Sequence, residues 1–179
     1  MKVCHLEVRG AGIAVHAWGS EAGLVAVRLG VIPASAAAVG GRPVTGIEIE
    51  DAPAATRRLE GLAPALARYF EGAPLVWTGP LDLRGVTEFQ RTVFDAVRDI
   101  PFGEIRTYGD VARIIGRPAA VRAVGNALHR NPFPLVVPCH RVLREGGGLG
   151  GYSCGTELKR RLLAVEQGQT ELELPEGSP

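Results

Sequence analysis

Apolar residues change their spacing partway along the chain, and that change limits the folds open to it. In the first fifty positions they alternate: Ile13, Val15 and Ala17, then Leu24 or Val25 with Val27 after SEAG, then Ile47 and Ile49 after a Gly/Pro-rich turn region. A period of two sends successive side chains to opposite faces of a strand, so this part predicts a small sheet joined by turns. In DAPAATRRLEGLAPALARYFEG, Leu59, Leu62, Leu66 and Tyr69 or Phe70 recur at helical spacing, with Gly72 as a stop and Pro64 expected to kink or split the helix. Thr87 with Gln90 makes a capping box ahead of Phe89, Val93, Val97 and Ile100, which predicts a helix over 87–99 ending at IPFG. The expected fold class is therefore α+β. A small N-terminal sheet-and-helix domain with its linker would cover 1–84, and a mostly helical domain 85–168; residues 169–179 read as an acidic tail, expected to be flexible.

At 179 residues, 46% hydrophobic and 22% charged, the chain can bury a core without staples or metals. No apolar run approaches the roughly 18 residues of a membrane span, and the N-terminus lacks the apolar core of a secretion signal, so a cytoplasmic protein is expected. Three cysteines, Cys4, Cys139 and Cys154, form an odd set that argues against a disulfide framework in a reducing compartment. A Cys139–Cys154 bridge is possible on spacing and disfavoured on compartment. The net charge is +1, yet residues 111–163 hold nine bases against only Glu145 and Glu157. Eighteen of the twenty bases are arginine, whose planar fork suits phosphate. Nucleic acid is the leading partner, set against the plainer reading of a solvated basic face.

The basic stretch contains two short helices. Thr107 with Asp110 caps TYGDVARIIG, a GRP turn follows, and Pro118 at a first-turn position opens PAAVRAVGNALHRN. The pair is a helix-turn-helix candidate. Projected at about 100° per residue, Val121, Val124, Gly125 and Leu128 fall on one side and are expected to pack inward. Ala119, Arg122, Ala123, Asn126 and Arg130 fall on the other, a face of small residues with Arg122 as a long probe, suited to close approach to a groove. Alanines that merely favour helicity would give the same pattern.

PLVVPCHRVL, residues 134–143, raises the chemical question. Asn131 before Pro132 predicts a turn, Leu135, Val136 and Val137 a short buried extended segment, and Pro138 a break that lets Cys139 face a pocket. A lone cysteine is more often a small buried hydrophobe than a nucleophile. A nucleophilic role needs a base or a positive field, because a thiol near pKa 8.5 is only slightly ionised at neutral pH. His140 is the nearest base and Arg141 adds charge, although neighbours on a regular strand point oppositely, so a water or the turn after Pro138 must couple them. Histidine in turn wants a carboxylate. In the last helix, TELKRRLLAVEQG, capped by Thr156 and stopped by Gly168, Glu166 projects at the edge of a stripe of Leu158, Leu162 and Val165 and is the candidate orienter, the alternative being a solvated helix end. GGGLGG at 146–151 lacks the βαβ surroundings of a dinucleotide site and reads as a loop over the pocket. Cys4, His5 and His16 lack zinc-site spacing, so no metal is expected.

VPCHRV, preceded by RAVGNALHRNP and followed by GGYSCGTELKRRLLAVE, resembles the O6-alkylguanine-DNA alkyltransferases from about Phe89 to Glu166. The resemblance implies repair of O6-alkylguanine, and of O4-alkylthymine, in double-stranded DNA, with the alkyl group moved irreversibly to Cys139 and no cofactor. It implies His140 as a water-coupled base, Glu166 as its orienting acid, Arg122 as an arginine finger filling the stack, and Tyr108 as a donor to the guanine ring that helps rotate the 3′ phosphate. Asn131 would be a hinge, Val142 and Ser153 backbone contacts to the base, and Pro134, Gly150 and Tyr152 the alkyl pocket. A minor-groove recognition helix would use Ala119, Ala120, Ala123 and Gly125, with Asn126 on the same exposed side. The resemblance also implies a ribonuclease-H-like N-terminal domain and a monomer, with cooperative DNA binding left open. Cys154 stands where the family usually has glycine and is expected to be structural or incidental. A cysteine hydrolase and a non-catalytic DNA-binding module are the competing readings.

Overall fold

The alternating N-terminal residues pair as an antiparallel sheet. Strands β1 (Cys4–Gly10), β2 (Ile13–Ser20), β3 (Gly23–Val31) and β4 (Gly46–Glu48) lie in the order β3-β2-β1-β4. The register sets Val8 against Val15 and Leu6 against Ala17, so one face collects Leu6, Val8, Ile13, Val15, Ala17 and Val27, all buried. Helix α1 (Leu62–Phe70) buries Leu62, Ala65, Leu66 and Tyr69, spaced at i, i+3, i+4 and i+7, and packs against β1. The expected helix is split just ahead of Pro64, where residues 59–61 form a turn, and Pro64 does not break α1 itself. It occupies the first turn, where its missing N–H would have had no intrahelical partner. Residues 4–31, 46–48, 57 and 59–169 are described by this computed structural model; Ile49, the start of the expected helix at 51–56 and the tail from 170 onward lie outside them. The chain divides into two compact units, Met1–Arg84 and Gly85–Pro179.

The first unit closes with residues 80–82 beside β3. Leu24 N–H donates to Pro80 O at 2.9 Å and Asp82 N–H to Leu24 O at 2.8 Å. Gly23 makes this approach possible, since a Cβ there would lie 2.2 Å from Pro80 O and its φ is +142°.

The second unit is built on capped helices. In α2 (Glu88–Arg98) both halves of the Thr87/Gln90 capping box are made, and Val93, Phe94 and Val97 are buried. Thr107 and Asp110 form a second complete box at the start of α3 (Tyr108–Ile114). A 3₁₀ turn, Pro118–Ala120, leads into α4 (Val121–His129), which packs against both α2 and α3. Two neighbours turn the buried face of α4 by one position from the projection: Val124, Ala127 and Leu128 are buried, while Val121 is 41% exposed. Short strands β5 (Arg106–Thr107) and β6 (Val142–Leu143) pair in parallel, setting Arg106 beside Val142 and Thr107 beside Leu143. Helix α5 (Thr156–Glu166) starts after Gly155, with no side-chain cap, so Thr156 is its first residue rather than its cap. Its buried residues include Leu158, Lys159, Leu162, Leu163 and Glu166; Val165 is only half-buried. No helix among the described residues is long and apolar enough to cross a membrane.

Gly23→Ala should destabilise the chain by more than about 2 kcal/mol, through a backbone clash at a φ that suits glycine. Urea denaturation monitored by circular dichroism would measure the loss, and an unchanged midpoint would contradict this account of the β3 closure.

Candidate active site

The stretch expected to be extended before Cys139 is instead a tight buried turn. Leu135 takes φ +73°, Val137 N–H returns to Phe133 O at 2.8 Å, and Pro134 and Val137 form an isolated bridge. Pro138 then sits at φ −78°, ψ 63°, with Cys139 N–H donating to Val137 O at 2.7 Å, which is an inverse γ-turn. The next three residues, Cys139–Arg141, make one 3₁₀ turn. At about 120° per residue, Cys139 and His140 escape the opposed directions that a strand would give them.

Asn131 holds this turn from within. Its Oδ1 accepts from Phe133 N–H at 2.9 Å, and its Nδ2 donates to Val137 O at 2.9 Å and to Cys139 Sγ at 3.1 Å. One buried amide therefore shapes the loop and supplies a donor to the sulfur. Burial of Cys139 pushes its thiol up to about 11; the Asn131 donor pulls down, half-buried Cys154 pushes up, and Lys159 pulls down. The resting sulfur is a protonated thiol at neutral pH, so attack by it requires a base.

The imidazole expected in that role is next in sequence. His140 is wholly buried, with Nε2 2.7 Å from Glu166 Oε1. Arg141 bridges the same carboxylate, Nε to Oε2 at 2.8 Å and a terminal guanidinium nitrogen to Oε1 at 2.9 Å, while its other arm donates to Ile100 O at 2.6 Å. Gly103 N–H adds a bond to Oε2 at 3.1 Å. Burial alone would raise the Glu166 pKa, but the hydrogen bonds from His140 and Arg141 and the guanidinium charge of Arg141 outweigh it and hold the carboxyl well below the usual carboxylate range. Burial lowers the His140 pKa, against the raising effect of Glu166. The pair is thus neutral imidazole and carboxylate. A carboxylate can only accept, so Nε2 carries the hydrogen and Nδ1 the basic lone pair.

Lys159 completes the site and was not legible as part of it. Fully buried, its ammonium donates to Val142 O and Leu149 O at 2.6 Å each and lies 6.0 Å from the Tyr108 ring centre and 5.9 Å from that of Tyr152. Burial lowers its pKa to about 8, opposed by the attraction of Cys139. It ties the glycine-rich loop to β6 and brings positive charge toward the sulfur. Its position one residue after Leu158 and three before Leu162, on the buried side of α5, was the available signal. Tyr108, which opens α3, donates a long hydrogen bond to Gly151 O at 3.4 Å, and a Cβ at Gly150 would come within 3.3 Å of its ring. Burial and the nearby Cys139 raise its pKa, so its hydroxyl keeps its proton.

Elsewhere, Pro134 is buried in the turn, Gly150 and Tyr152 are half-buried in the loop, and Ser153 is exposed beside them. Ala119, Arg122, Ala123, Asn126 and Arg130 are all exposed, so the outer side of α4 is open as projected; Gly125 is half-buried near Tyr108. The arrangement sets a buried thiol, hydrogen-bonded by Asn131, one residue before a buried imidazole that is held by a carboxylate.

Residues 88–168 match the family model described as 6-O-methylguanine DNA methyltransferase, DNA binding domain. A methylated-DNA–protein-cysteine methyltransferase of Mycolicibacterium paratuberculosis is 48% identical over 111 residues, 62% of this chain and 67% of that protein. An inducible protein of the same name from Bacillus subtilis is 42% identical over 119 residues, 66% of each chain, so these matches span about two thirds of the relatives. The crystal structure of Mycobacterium tuberculosis OGT in complex with DNA superposes with a TM-score of 0.68 at 33% identity, covering 90% of this chain and 91% of that one.

The pair's protonation gives a pH signature. The unfolded chain binds a proton at His140 below the ordinary imidazole value of 6.5, while the folded one resists it, so stability falls as pH drops through that value. Below 4.5 the unfolded Glu166 carboxyl also gains a proton, and the loss steepens. Urea midpoints across this range should show both stages, with the first one reduced in His140→Asn. A midpoint that rises on acidification from 6.5 would contradict the neutral-imidazole assignment.

Proposed function

Because the chain belongs to the methylated-DNA–protein-cysteine methyltransferase family, we propose that it repairs O6-alkylguanine, and O4-alkylthymine, in double-stranded DNA by moving the alkyl group irreversibly to its own Cys139. The observation that carries this reading is the junction of two hydrogen-bond systems at adjacent residues: Asn131 on the Cys139 sulfur, and Glu166 on His140.

Sulfur attacks the sp³ carbon of the alkyl group, the bond from that carbon to O6 breaks, and its electron pair passes into the guanine ring. The thiol proton goes to His140 Nδ1 through a water, and the imidazolium that forms is stabilised by the carboxylate already bound to Nε2. Lys159 favours the thiolate in the meantime. The guanine leaves as its anion, stabilised by a hydrogen bond from the Tyr108 hydroxyl, which keeps its own proton, and it is neutralised by the proton that the imidazolium then releases. The product is a thioether, a poor leaving group, so each molecule reacts once. Every component of this displacement is supplied by the chain and the substrate, so it requires neither metal nor cofactor.

A base inside a duplex is out of reach of a buried thiol, so the nucleotide must rotate out, at a cost of a few kcal/mol. In this reading α4 lies in the minor groove with Ala119, Ala123, Gly125 and Asn126 toward DNA, and Arg122 fills the vacated place in the stack. Backbone groups of Val142 and Ser153 hold the extruded base, and Pro134, Gly150 and Tyr152 wall the alkyl group. Residues 85–168 do this work and residues 1–84 form a ribonuclease-H-like domain. The protein is a cytoplasmic monomer, with cooperativity on DNA no part of this reading.

Mixing the full chain with a duplex containing O6-methylguanine and weighing the intact protein tests the reading. The chain should gain the mass of one methylene, stoichiometrically and at Cys139, and Cys139→Ser should gain none. An unchanged mass with the DNA still methylated would overturn it.

A further inference from the structure

Residues 73–80 lead from the turn after α1 to the closure beside β3 and belong to no helix or strand, yet their burial alternates with a period of two. Ala73, Leu75, Trp77 and Gly79 are half-buried, whereas Pro74, Val76, Thr78 and Pro80 are exposed, Val76 by 67%. That alternation marks an extended segment with one side against the protein. Among the described residues, no backbone hydrogen bond is made by any residue from Leu75 to Gly79. Pro74 and Pro80 lack an N–H group, so the chain carries a short strand-like edge bounded by two prolines. A groove of about 530 Å³ runs beside it. Its other wall is the start of α1 and the turn before: Arg57, Glu60, Gly61, Pro64 and Arg68, the last three at i, i+3 and i+7 and so in one line. Arg57, Glu60 and Arg68 are exposed and make no ion pair among the described residues. Trp77 also lines the groove, with its indole laid on Gly79, where a Cβ would stand 2.1 Å from the ring.

We propose that this groove is a docking site for an acidic segment of a partner protein, which adds as a strand along Leu75–Gly79, sets carboxylates against Arg57 and Arg68, and covers Trp77 with its apolar side chains. The main chain of such a segment repeats its donors and acceptors in step with the edge, which is what holds an added strand. A guanidinium fork receives a carboxylate through paired hydrogen bonds, so the two arginines select for acids. A nucleic acid strand fits less well. Its phosphodiester backbone has no N–H to offer the carbonyls of the edge, and Glu60, in the same wall as both arginines, repels an unbroken run of phosphates. A peptide of alternating acidic and apolar residues can leave an uncharged residue opposite Glu60. No residue of the groove belongs to the alkyl-transfer machinery, so docking requires neither Cys139 nor alkylated DNA. In the free protein both arginines stand in water, and their replacement should leave the fold intact.

The test titrates a fluorescein-labelled peptide of alternating glutamate and valine, EVEVEVE, with the full chain and follows its fluorescence anisotropy. The peptide should bind, and Arg57→Gln combined with Arg68→Gln should weaken binding at least roughly tenfold, as expected for losing charge-assisted hydrogen bonds, with the melting temperature unchanged. The same peptide with a fully N-methylated backbone, which cannot pair as a strand, should not bind. Its uncharged counterpart QVQVQVQ should bind the unaltered chain no more tightly than EVEVEVE binds the double variant. Absence of EVEVEVE binding, equal binding by the double variant, or equal binding of the N-methylated peptide would overturn the docking site. A short oligothymidine that bound through the same two arginines in place of the peptide would overturn the acidic-peptide assignment.

Discussion

One buried carboxylate organises the second unit. Glu166 receives four hydrogen bonds: one from His140, two from Arg141 and one from Gly103 N–H. Its donors come from the 3₁₀ turn at Cys139–Arg141 and the turn after α2, and it stands on the last residue of α5. A carboxylate removed from water is costly unless every lone pair is used, and a bidentate arginine is the partner best shaped to use them. Three segments distant in sequence are thereby held in one arrangement, and removing any one donor would leave a buried charge short of a partner, at a cost of about 3–5 kcal/mol where the ion pair itself is broken.

The same charge fixes the chemistry. With Glu166 ionised, the imidazole must present its hydrogen at Nε2, which leaves Nδ1 as the nitrogen able to take up a proton, the one that Cys139 gives up in the proposed reaction. Burial opposes the reaction in the resting protein by raising the thiol pKa, and the site answers with donors that prefer the thiolate, Asn131 directly and Lys159 through its charge. A thiol that is protonated at rest and ionised only as its proton is drawn away suits a nucleophile that can be used once, because it is protected from casual electrophiles.

Legibility from sequence followed the range of each interaction. Both capping boxes were readable because donor and acceptor are three residues apart. The pairing of His140 with Glu166 was readable in outline, since a carboxylate on a helical stripe asks for a partner. The turn at Leu135–Val137 was not: a run of aliphatic residues argues for an extended segment, whereas Asn131, bonded to the loop on both sides, and the Val137 N–H bond to Phe133 O hold a leucine at φ +73°. Lys159 was missed because lysine normally belongs to solvent, and two carbonyls from separate segments are what hold it inside. Val121 was misplaced because α2 and α3 together, not α4 alone, decide which side of α4 is covered. In each failure a tertiary contact overruled a local preference.

The central claim is that Glu166 sets the tautomer of His140 and so leaves Nδ1 as the base. Nitrogen-15 chemical shifts of the His140 ring near neutral pH measure this directly. The account predicts a neutral ring with hydrogen on Nε2 and an unprotonated Nδ1. A ring carrying its hydrogen on Nδ1, or an imidazolium with both nitrogens protonated, would contradict it.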